Sequence, residues 1–519
     1  MKKLSELKRE TLKVGFLTFV ANMIGKLISI PVGIFVAGFL GPNAFGLLAI
    51  VNQIKTFLGY GNLGILMNLT RELPIAYGKN DVEEVQTIKD VVFTNYSITT
   101  ILGLFVIWTL FLVGFDFNDV LENPIMIALT ILVITSNADS FLHTYVKGEG
   151  KFLVFGQYEL VIKILGPVIT FASVYLFSLY GMLASLILAQ IVGFVFVLYR
   201  IGPPKLRFKF NLKKTKELLG TSVLMYLNKL LDTFLISISV IIAGVYFTLT
   251  DVGVLSYALV IASTTQIPFA DIFAMTTDRT MALQSGKVGS NDFVSFQRFL
   301  RLPLVMYSLL SSTVLGVIVI FYSLSIEVFL HKYEPSLPMF IFLYFAMVYY
   351  NTRHFLYSYI NATRQMNRRL IILILGVAIH VLVSVIMIIL GGGVISIVYG
   401  ITIAFIFVSC NIIYTVFKQV YEGTIEAVEF ITKISIIAIV LTIILYIFSE
   451  FKYLRPEEIM SLNLAYIFFA IIELFLKTVV FALSSVILYG FLFKEYKVFN
   501  EIKDYIKYFT SIIKMRISA

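Results

Sequence analysis

Long apolar runs recur from one end of this 519-residue chain to the other, and they limit the possible folds more than any other feature. A helix needs about 20 mostly apolar residues to cross a hydrocarbon layer of about 30 Å. Hydrophobic residues make up 59% of the chain and charged residues 14%, against roughly 45–50% and 25% in soluble proteins. The pattern predicts an all-α protein that crosses a membrane many times.

Fourteen runs are long enough to cross a membrane as helices. They cover residues 14–39, 45–66, 88–114, 124–145, 155–178, 180–199, 218–245, 252–275, 302–326, 337–358, 370–390, 393–417, 430–449 and 464–492. The first run is too long for a secretory signal peptide and lacks a small-residue cleavage site, so we expect it to stay in the protein as a spanning helix.

The basic residues predict how these helices are oriented. With fourteen crossings both termini lie on one side, and that side receives 33 of the 41 Lys and Arg. The opposite side receives three, Lys332, Lys452 and Arg455, and the other five lie within the spans. Because loops rich in Lys and Arg stay in the cytoplasm, we expect both termini to be cytoplasmic and the protein to lie in the cell membrane. The net charge of +10 then needs no nucleic-acid partner.

The sequence argues against an enzyme and predicts no cofactor. It contains no DxD triplet, no HExxH motif and no Walker loop, and its longest predicted loop covers only about residues 276–301. An integral-membrane glycosyltransferase or polymerase commonly needs a metal-binding acidic pair or a large catalytic loop. The single cysteine, Cys410, excludes an intramolecular disulfide, a cysteine metal cluster and a CxxC redox site.

An internal repeat predicts two similar halves. Residues 141–148 align without gaps with residues 355–362, at an offset of 214. A second set of matches, at an offset of 206 with one inserted residue before the last, joins Asn22, Ala37, Gly38 and Gly46 to Asn228, Ala243, Gly244 and Gly253. Six helices per half is an even number, so the halves are parallel repeats related by an axis along the membrane normal. Two such bundles around a central cavity favour a transporter that works by alternating access.

The predicted organisation has five parts. They are an N-terminal lobe at 1–200, a basic cytoplasmic linker at 201–217, a C-terminal lobe at 218–418, two additional helices within 419–492 and a basic cytoplasmic tail at 493–519.

Several motifs resemble a known family. The stretch AGFLGPNAFGL at 37–47, Asp232 in the seventh helix, TDVGVLSY at 250–257 and the layout of six, six and two helices resemble the polysaccharide-exporter branch of the multidrug/oligosaccharidyl-lipid/polysaccharide exporter superfamily. The resemblance implies a Wzx-type flippase, which moves a polyprenyl-linked oligosaccharide from the cytoplasmic to the outer leaflet. It also implies membrane lipids, H⁺ or Na⁺ and polysaccharide assembly proteins as partners.

Two alternatives remain within the same superfamily. Lipid II flippases, which carry a peptidoglycan precursor, also have fourteen helices. Ion-coupled multidrug exporters usually have twelve, and a site for cationic compounds would contain carboxylates and aromatic residues rather than lysines.

Ionisable residues inside the spans are the candidate site residues, because a charge at bilayer depth costs at least about 2.5–3.5 kcal/mol. Lys26 and Asp232 lie near the middle of their helices and are equivalent at the offset of 206, so we expect them to line the cavity. Asp232 pairing with Lys229, one turn away, is the simpler alternative. Asp139 and Arg353 are equivalent at the offset of 214 and are candidates for an inner gate.

Other residues complete the predicted site. The substrate-binding candidates are Lys26, Lys55, Lys229, Asp232, Asn22, Asn228, Arg71 and Arg279. Cationic side chains can replace the lost hydration of a diphosphate through charge-assisted hydrogen bonds. The candidates for ion coupling are Asp232 and Asp271. The spacings of Glu159 with Lys163 and of Glu473 with Lys477 instead predict ion pairs within one helix.

Overall fold

The computed structural model describes residues 2–113, 123–263, 293–362, 365–420, 423–450 and 464–494. Within these ranges, the side chains of 2–20, 22–23, 221, 293–301, 303, 354, 358, 361–362 and 464–471 are not described. The described ranges contain helices, turns and one extended segment, and no strand.

The helices follow one another through short connections. In chain order they are α1 (Lys2–Tyr60), α2 (Asn68–Gly78), α3 (Val82–Leu112), α4 (Asn123–Gly148), α5 (Phe152–Ile201), α6 (Leu212–Tyr246), α7 (Leu249–Ser263), α8 (Phe293–Phe329), α9 (Leu337–Ala362), α10 (Met366–Ile389), α11 (Ile395–Val420), α12 (Ile425–Glu450) and α13 (Leu464–Leu492). Short 3₁₀ helices cover Ile65–Met67 and His331–Ser336. Ten of the helices in the described ranges are long and apolar enough to cross a membrane.

Two of the long helices are each broken once. In α1, Gly41 has φ 72° and ψ 171°, and the next residue, Pro42, has no N–H to continue the helical hydrogen bonds. In α5, Ser178 has φ 51° and ψ −126°. If the two parts of α1 and the two parts of α5 are counted as separate helices, each of the fourteen predicted spans corresponds to a helix within the described ranges. The all-α, multi-pass prediction is therefore confirmed, whereas the grouping into six, six and two stays a prediction.

The second predicted helix ends earlier than the sequence indicated. Helix α1 stops at Tyr60 and not at residue 66, because Leu63 and Gly64 have left-handed backbones with φ 49° and 79°. The side chain of Asn62 stabilises this turn by accepting a hydrogen bond from the amide of Gly64 at 2.9 Å. The 11-residue helix α2 that follows was not predicted, since it is shorter than a membrane span.

The chain forms two compact units. Unit one contains Met1–Tyr257 and Met366–Ile397, and unit two contains Ala258–Gln365 and Val398–Ala519. In unit two, buried hydroxyls join three helices: Ser308 Oγ lies 2.8 Å from both Thr352 Oγ1 and Tyr489 Oη. The ring of Phe481 packs so closely on Gly316 that no side chain fits there.

A largely buried ion pair and its hydrogen bonds connect α2, α3 and the turn after α4 in unit one. Lys89 forms an ion pair with Glu149 and donates a hydrogen bond to Tyr77 Oη at 2.9 Å. Tyr77 in turn donates to Glu149 at 2.7 Å. Burial alone would raise the pKa of Glu149, but the hydrogen bonds from Lys89 and Tyr77 outweigh it and hold that pKa below its ordinary value. Glu149 is therefore an anion at neutral pH and fixes the ends of these helices.

The basic linker is held in an extended conformation along α3. The backbone amide of Arg207 donates to Asp90 Oδ1 at 3.0 Å, and that of Lys209 donates to Thr94 Oγ1 at 2.8 Å. Gln86 donates to the carbonyl oxygen of Lys205 at 2.9 Å. Side chains of α3 thus satisfy the backbone of a segment that has no helix of its own.

Two glycines matched by the repeat meet backbone to backbone in unit one. A Cβ on Gly46 would lie 2.9 Å from the amide nitrogen of Gly253 and against the carbonyl of Leu249. A Cβ on Gly253 would lie 3.0 Å from the amide nitrogen of Gly46 and against the carbonyl of Pro42. Pro42 and Leu249 are also 207 residues apart, as are the two glycines. Such reciprocal contacts are typical of a two-fold axis passing between equivalent elements.

We expect Gly253→Ala to destabilise the protein by about 1–3 kcal/mol, because the added methyl group meets backbone atoms that cannot rotate away. Gly33→Ala is the matched control, since a Cβ at Gly33 has nothing within 4 Å and alanine is the better helix former. Thermal unfolding of both variants in the same detergent measures the effect. Equal melting temperatures for Gly253→Ala and the wild type would contradict the close crossing.

Candidate functional site

Tyrosine side chains join the end of α1 to α6 in unit one. Tyr60 Oη donates a hydrogen bond to Thr233 Oγ1 at 2.7 Å, and Tyr226 donates to the carbonyl oxygen of Tyr60. Gly64 packs on the ring of Tyr226, where a Cβ would lie 2.6 Å from that of the tyrosine. The left-handed turn that ends α1 therefore positions Tyr60 beside the middle of α6.

Asp232 lies next to this contact and forms an ion pair with α10. Its Oδ2 is 3.7 Å from Nη2 of Arg369, and both side chains are largely buried. One turn earlier on α6, Asn228 Nδ2 donates to the carbonyl oxygen of Met366 at 3.1 Å. Lys229 is exposed. The ion pair described for Asp232 is thus with Arg369, and its predicted relation to Lys26 stays a prediction.

A fully buried histidine makes a second polar contact between α6 and α10. His380 Nδ1 lies 3.0 Å from the carbonyl oxygen of Leu235, and its Nε2 lies 3.3 Å from Ser239 Oγ. The backbone oxygen of Leu235 can only accept, so Nδ1 carries a proton that it donates. With both nitrogens occupied in this way, His380 fixes the packing of α10 on α6.

Two lysines lie close together where α1 crosses α5. At Gly25 the helices approach so closely that a Cβ would lie 2.8 Å from Cβ of Lys163. The next residue, Lys26, is close enough to Lys163 for the two ammonium groups to repel each other. Lys163 pairs with Glu159 at 2.7 Å, as its spacing predicted. The predicted pair of Glu473 with Lys477 in α13 is also present, at 2.5 Å.

Lys55 differs from the other lysines within the spans. It is half-buried in the second part of α1, and no ion pair within 4 Å joins it to any residue that the structure describes. Lys163 and Lys477, by comparison, are each neutralised by a glutamate in their own helix. A half-buried cation of this kind is suited to an anionic ligand, which would supply the missing counter-charge.

The predicted gate residues lie in different units, so their pairing stays a prediction. Asp139 of unit one accepts a hydrogen bond from Tyr158 Oη at 2.5 Å. Arg353 of unit two is fully buried, and its guanidinium lies over the rings of Tyr350 and Phe405, 4.4 Å and 5.3 Å from their centres. The aromatic faces help to accommodate a charge inside an apolar helix bundle.

The remaining predicted residues lie at the surface or outside the described part. Arg71 is half exposed, pairs with Glu72 at 3.5 Å and lies 3.8 Å from the sulfur of Met225. The side chains of Asn22, Asp271 and Arg279 fall outside the described residues.

The sequence analysis missed Arg369 and His380. Arg369 lies in a basic pair at the start of a helix, which is typical of a cytoplasmic anchor. The sequence therefore gave no indication that Arg369 contacts Asp232. His380 was a lone histidine in an apolar helix, and nothing in the pattern indicated which helix it would contact. The described residues contain no group of three or more His, Cys, Asp or Glu that could hold a metal ion.

Comparisons with known proteins agree on the kind of fold. A family model described as a polysaccharide biosynthesis protein matches residues 35–284. The chain is similar to the inward closed conformation of the lipid II flippase MurJ, with a TM-score of 0.62 and 14% identity over 93% of this chain and 100% of that one. No curated protein sequence matches.

Multidrug transporters of the MATE family have a similar structure. An inward-facing member, described as belonging to the MOP superfamily, gives a TM-score of 0.59 and 15% identity over 81% of this chain and 98% of its own. The eukaryotic MATE transporter AtDTX14 gives a TM-score of 0.53 and 14% identity over 81% of this chain and 99% of its own. At these identities the likeness concerns the fold.

We expect a double-mutant cycle to detect the pair of Asp232 and Arg369. Arg369→Gln leaves a buried carboxylate without this partner and should cost about 3 kcal/mol, while adding Asp232→Asn should recover at least about 1 kcal/mol. Unfolding in detergent measures the cycle, with Lys229→Gln as the exposed control on α6. Strictly additive losses would show that the two side chains do not interact.

Proposed function

We propose that this chain, a member of the multidrug/oligosaccharidyl-lipid/polysaccharide exporter superfamily, is a flippase for a polyprenyl-phosphate- or polyprenyl-diphosphate-linked oligosaccharide. It would move this lipid from the cytoplasmic to the outer leaflet by alternating access. The observation that carries the proposal is the match of residues 35–284 to a polysaccharide biosynthesis family, in a chain with the fold of a lipid II flippase and of multidrug transporters. The solved proteins named above are described as a flippase and as transporters.

The physical task of such a protein is to take an anionic, sugar-bearing headgroup through hydrocarbon. Without protein, the phosphates would lose their hydration, at a cost far above the energy of a few ordinary contacts. Lysine and arginine side chains replace that hydration with charge-assisted hydrogen bonds. The polyprenyl chain can remain among the lipid tails, since it is as apolar as they are.

The lysines of unit one support this task. Lys55 has no ion pair with the described residues, and a phosphate group would supply its counter-charge. Lys26 and Lys163 lie close together where α1 crosses α5. Tyr60, at the end of the same helix as Lys55, and Tyr226 of α6 pack together and offer the flat faces and hydroxyls that bind sugars.

The membrane potential can drive part of this movement. An inside-negative potential favours outward transfer of negative charge by about 2.3 kcal/mol per charge for each 100 mV. A diphosphate therefore gains from moving outward even without a coupled ion. Coupling to H⁺ or Na⁺ and contact with polysaccharide assembly proteins belong to the proposal as further partners.

The proposal also places both termini in the cytoplasm and the protein in the cell membrane. The excess of Lys and Arg on the terminal side supports that orientation.

Labelling of single cysteines tests the orientation. In a Cys410→Ser background, Asp119→Cys should react with an impermeant reagent applied outside the cell, and Phe210→Cys should react only after the membrane is permeabilised. Phe210 is exposed, so its cysteine should be accessible on its own side. The reverse labelling pattern would overturn the orientation.

A lipid II-type precursor is the second candidate substrate. It is favoured by the similarity to MurJ, which extends over 93% of this chain. Both substrates share the polyprenyl diphosphate, and they differ in the peptide of the peptidoglycan precursor. Parallel transfer assays with the two lipids, and analysis of which one accumulates in a deletion strain, distinguish the candidates.

We expect Lys26→Ala to reduce transfer of a fluorescent lipid-linked oligosaccharide in reconstituted vesicles by about ten- to hundredfold, the effect of losing one hydrogen bond to a charged group. Lys477→Ala is the control, because Lys477 is paired within α13 in unit two. Protein yield and melting temperature should be unchanged for Lys26→Ala. Wild-type transfer by this variant would remove Lys26 from the site.

A further inference from the structure

The basic linker, residues 201–217, connects α5 to α6 within unit one, and both helices are long and apolar enough to cross a membrane. The amides of Arg207 and Lys209 donate to Asp90 and Thr94, which are one turn apart on α3. The linker therefore advances two residues for each turn of that helix. In an extended stretch of this kind, successive side chains point alternately to two faces.

One of these faces is apolar. Leu206 packs against the hydrophobic core of unit one. The ring of Phe208 lies on that of Phe93 in α3, with their centres 5.1 Å apart, yet 73% of Phe208 remains exposed. Phe210, on the same face, is 63% exposed. The two phenylalanines thus present apolar surface outward beside a membrane-spanning helix, which is typical of a contact with lipid.

The other face and the start of α6 are basic. Their exposed cations are Lys205, Arg207, Lys209, Lys213 and Lys216. None of these five forms an ion pair within 4 Å with a residue that the structure describes. Lys214, in the same stretch, is neutralised by both Glu84 and Glu217, the latter at 2.7 Å. The linker therefore carries an excess of positive charge that an anionic partner would balance.

The linker is already ordered along α3 and at the start of α6. Asn211 caps α6 by accepting a hydrogen bond from the amide of Lys214 at 3.0 Å. Asn95 of α3 donates to Thr215 Oγ1 of α6 at 2.9 Å. A ligand that binds the linker consequently meets a backbone held in place, so little conformational entropy is lost on binding.

The two faces together select the chemistry of the partner. A nucleic acid or an acidic protein in water would match the cations but would leave Phe208 and Phe210 in contact with water. An anionic phospholipid carries its phosphate directly beside hydrocarbon, so it satisfies both faces at once.

We propose that the basic linker is a binding site for anionic phospholipid of the leaflet that it faces. Lys205, Arg207 and Lys209 lie at the headgroup phosphates, and the rings of Phe208 and Phe210 lie among the first carbons of the acyl chains. Each basic residue near an anionic membrane surface strengthens such binding about fivefold. The ligand is a lipid of the surrounding bilayer and not the transported lipid, so this inference does not depend on the proposed function.

Fluorescence quenching by brominated lipids tests the site. Trp108 is the only tryptophan of the chain, so a Trp108→Phe, Phe210→Trp protein carries a single reporter in the linker. In nanodiscs, phosphatidylglycerol brominated on its acyl chains should quench this reporter with an apparent affinity at least about threefold above that of brominated phosphatidylcholine. Equal quenching by the two lipids would overturn the proposal. Quenching by neither would place the linker in water, where an acidic protein could bind it, and would also overturn the proposal.

Substitutions in the reporter protein identify the cations responsible. Lys205→Gln, Arg207→Gln and Lys209→Gln together should make quenching by the two lipids equal. Lys214→Gln is the matched control, because Glu84 and Glu217 already neutralise this lysine, and it should keep the preference. A preference that survives the triple substitution would contradict the site.

A salt titration tests the same interaction with the basic side chains intact. At about 1 M salt the screening length falls to about 3 Å, so the preference for phosphatidylglycerol should disappear. Quenching itself should persist, because the ring at position 210 stays among the acyl chains. A preference that salt does not change would show that the headgroup charge is not recognised, and would overturn the proposal.

Discussion

Hydrocarbon offers no hydrogen-bond partner to a peptide group, and this constraint decides where the chain can depart from a helix. At the break at Gly41 in unit one, backbone packs against backbone. The carbonyl of Pro42, just after the break, lies against Gly253 of α7, and the carbonyl of Leu249 lies against Gly46. The absence of side chains at both glycines lets backbone cover backbone. The same contact relates two segments that the sequence repeat had matched, so repeat symmetry and backbone burial are satisfied together.

The scarcity of water within the membrane also determines how the charged side chains are paired. In the described ranges, glutamates neutralise Lys163 and Lys477 within single helices, and Arg369 reaches Asp232 from a neighbouring helix. Lys55 and Asp139 are treated differently, since neither has an ion pair with the described residues. A half-buried cation such as Lys55 is suited to an anionic headgroup. Lys55, one of these exceptions, is also one of the residues on which the proposed function depends.

Periodicity and length were enough to predict the fold class, because a membrane-spanning helix is recorded in the sequence as one continuous apolar run. The positions of the breaks at Gly41 and Ser178 also followed from the gaps between runs. The helix α2 was missed because it is amphipathic and too short to span a bilayer. Pairs within a helix, such as Glu159 with Lys163, could be predicted from spacing alone. The partner of Asp232 could not, because contacts between helices depend on rotations and tilts that single-chain patterns do not encode.

The extended linker along α3 has a mechanical consequence. A solvated tether of ten residues would let the helices at its two ends move independently. Here, hydrogen bonds from Gln86 and to Asp90 and Thr94 fasten residues 205–209 to α3 at three successive points. The linker is therefore fixed to α3 rather than flexible. A displacement of the start of α6 has to move α3 as well or first break these hydrogen bonds. This part of the molecule therefore passes a movement of α6 on to α3 instead of absorbing it.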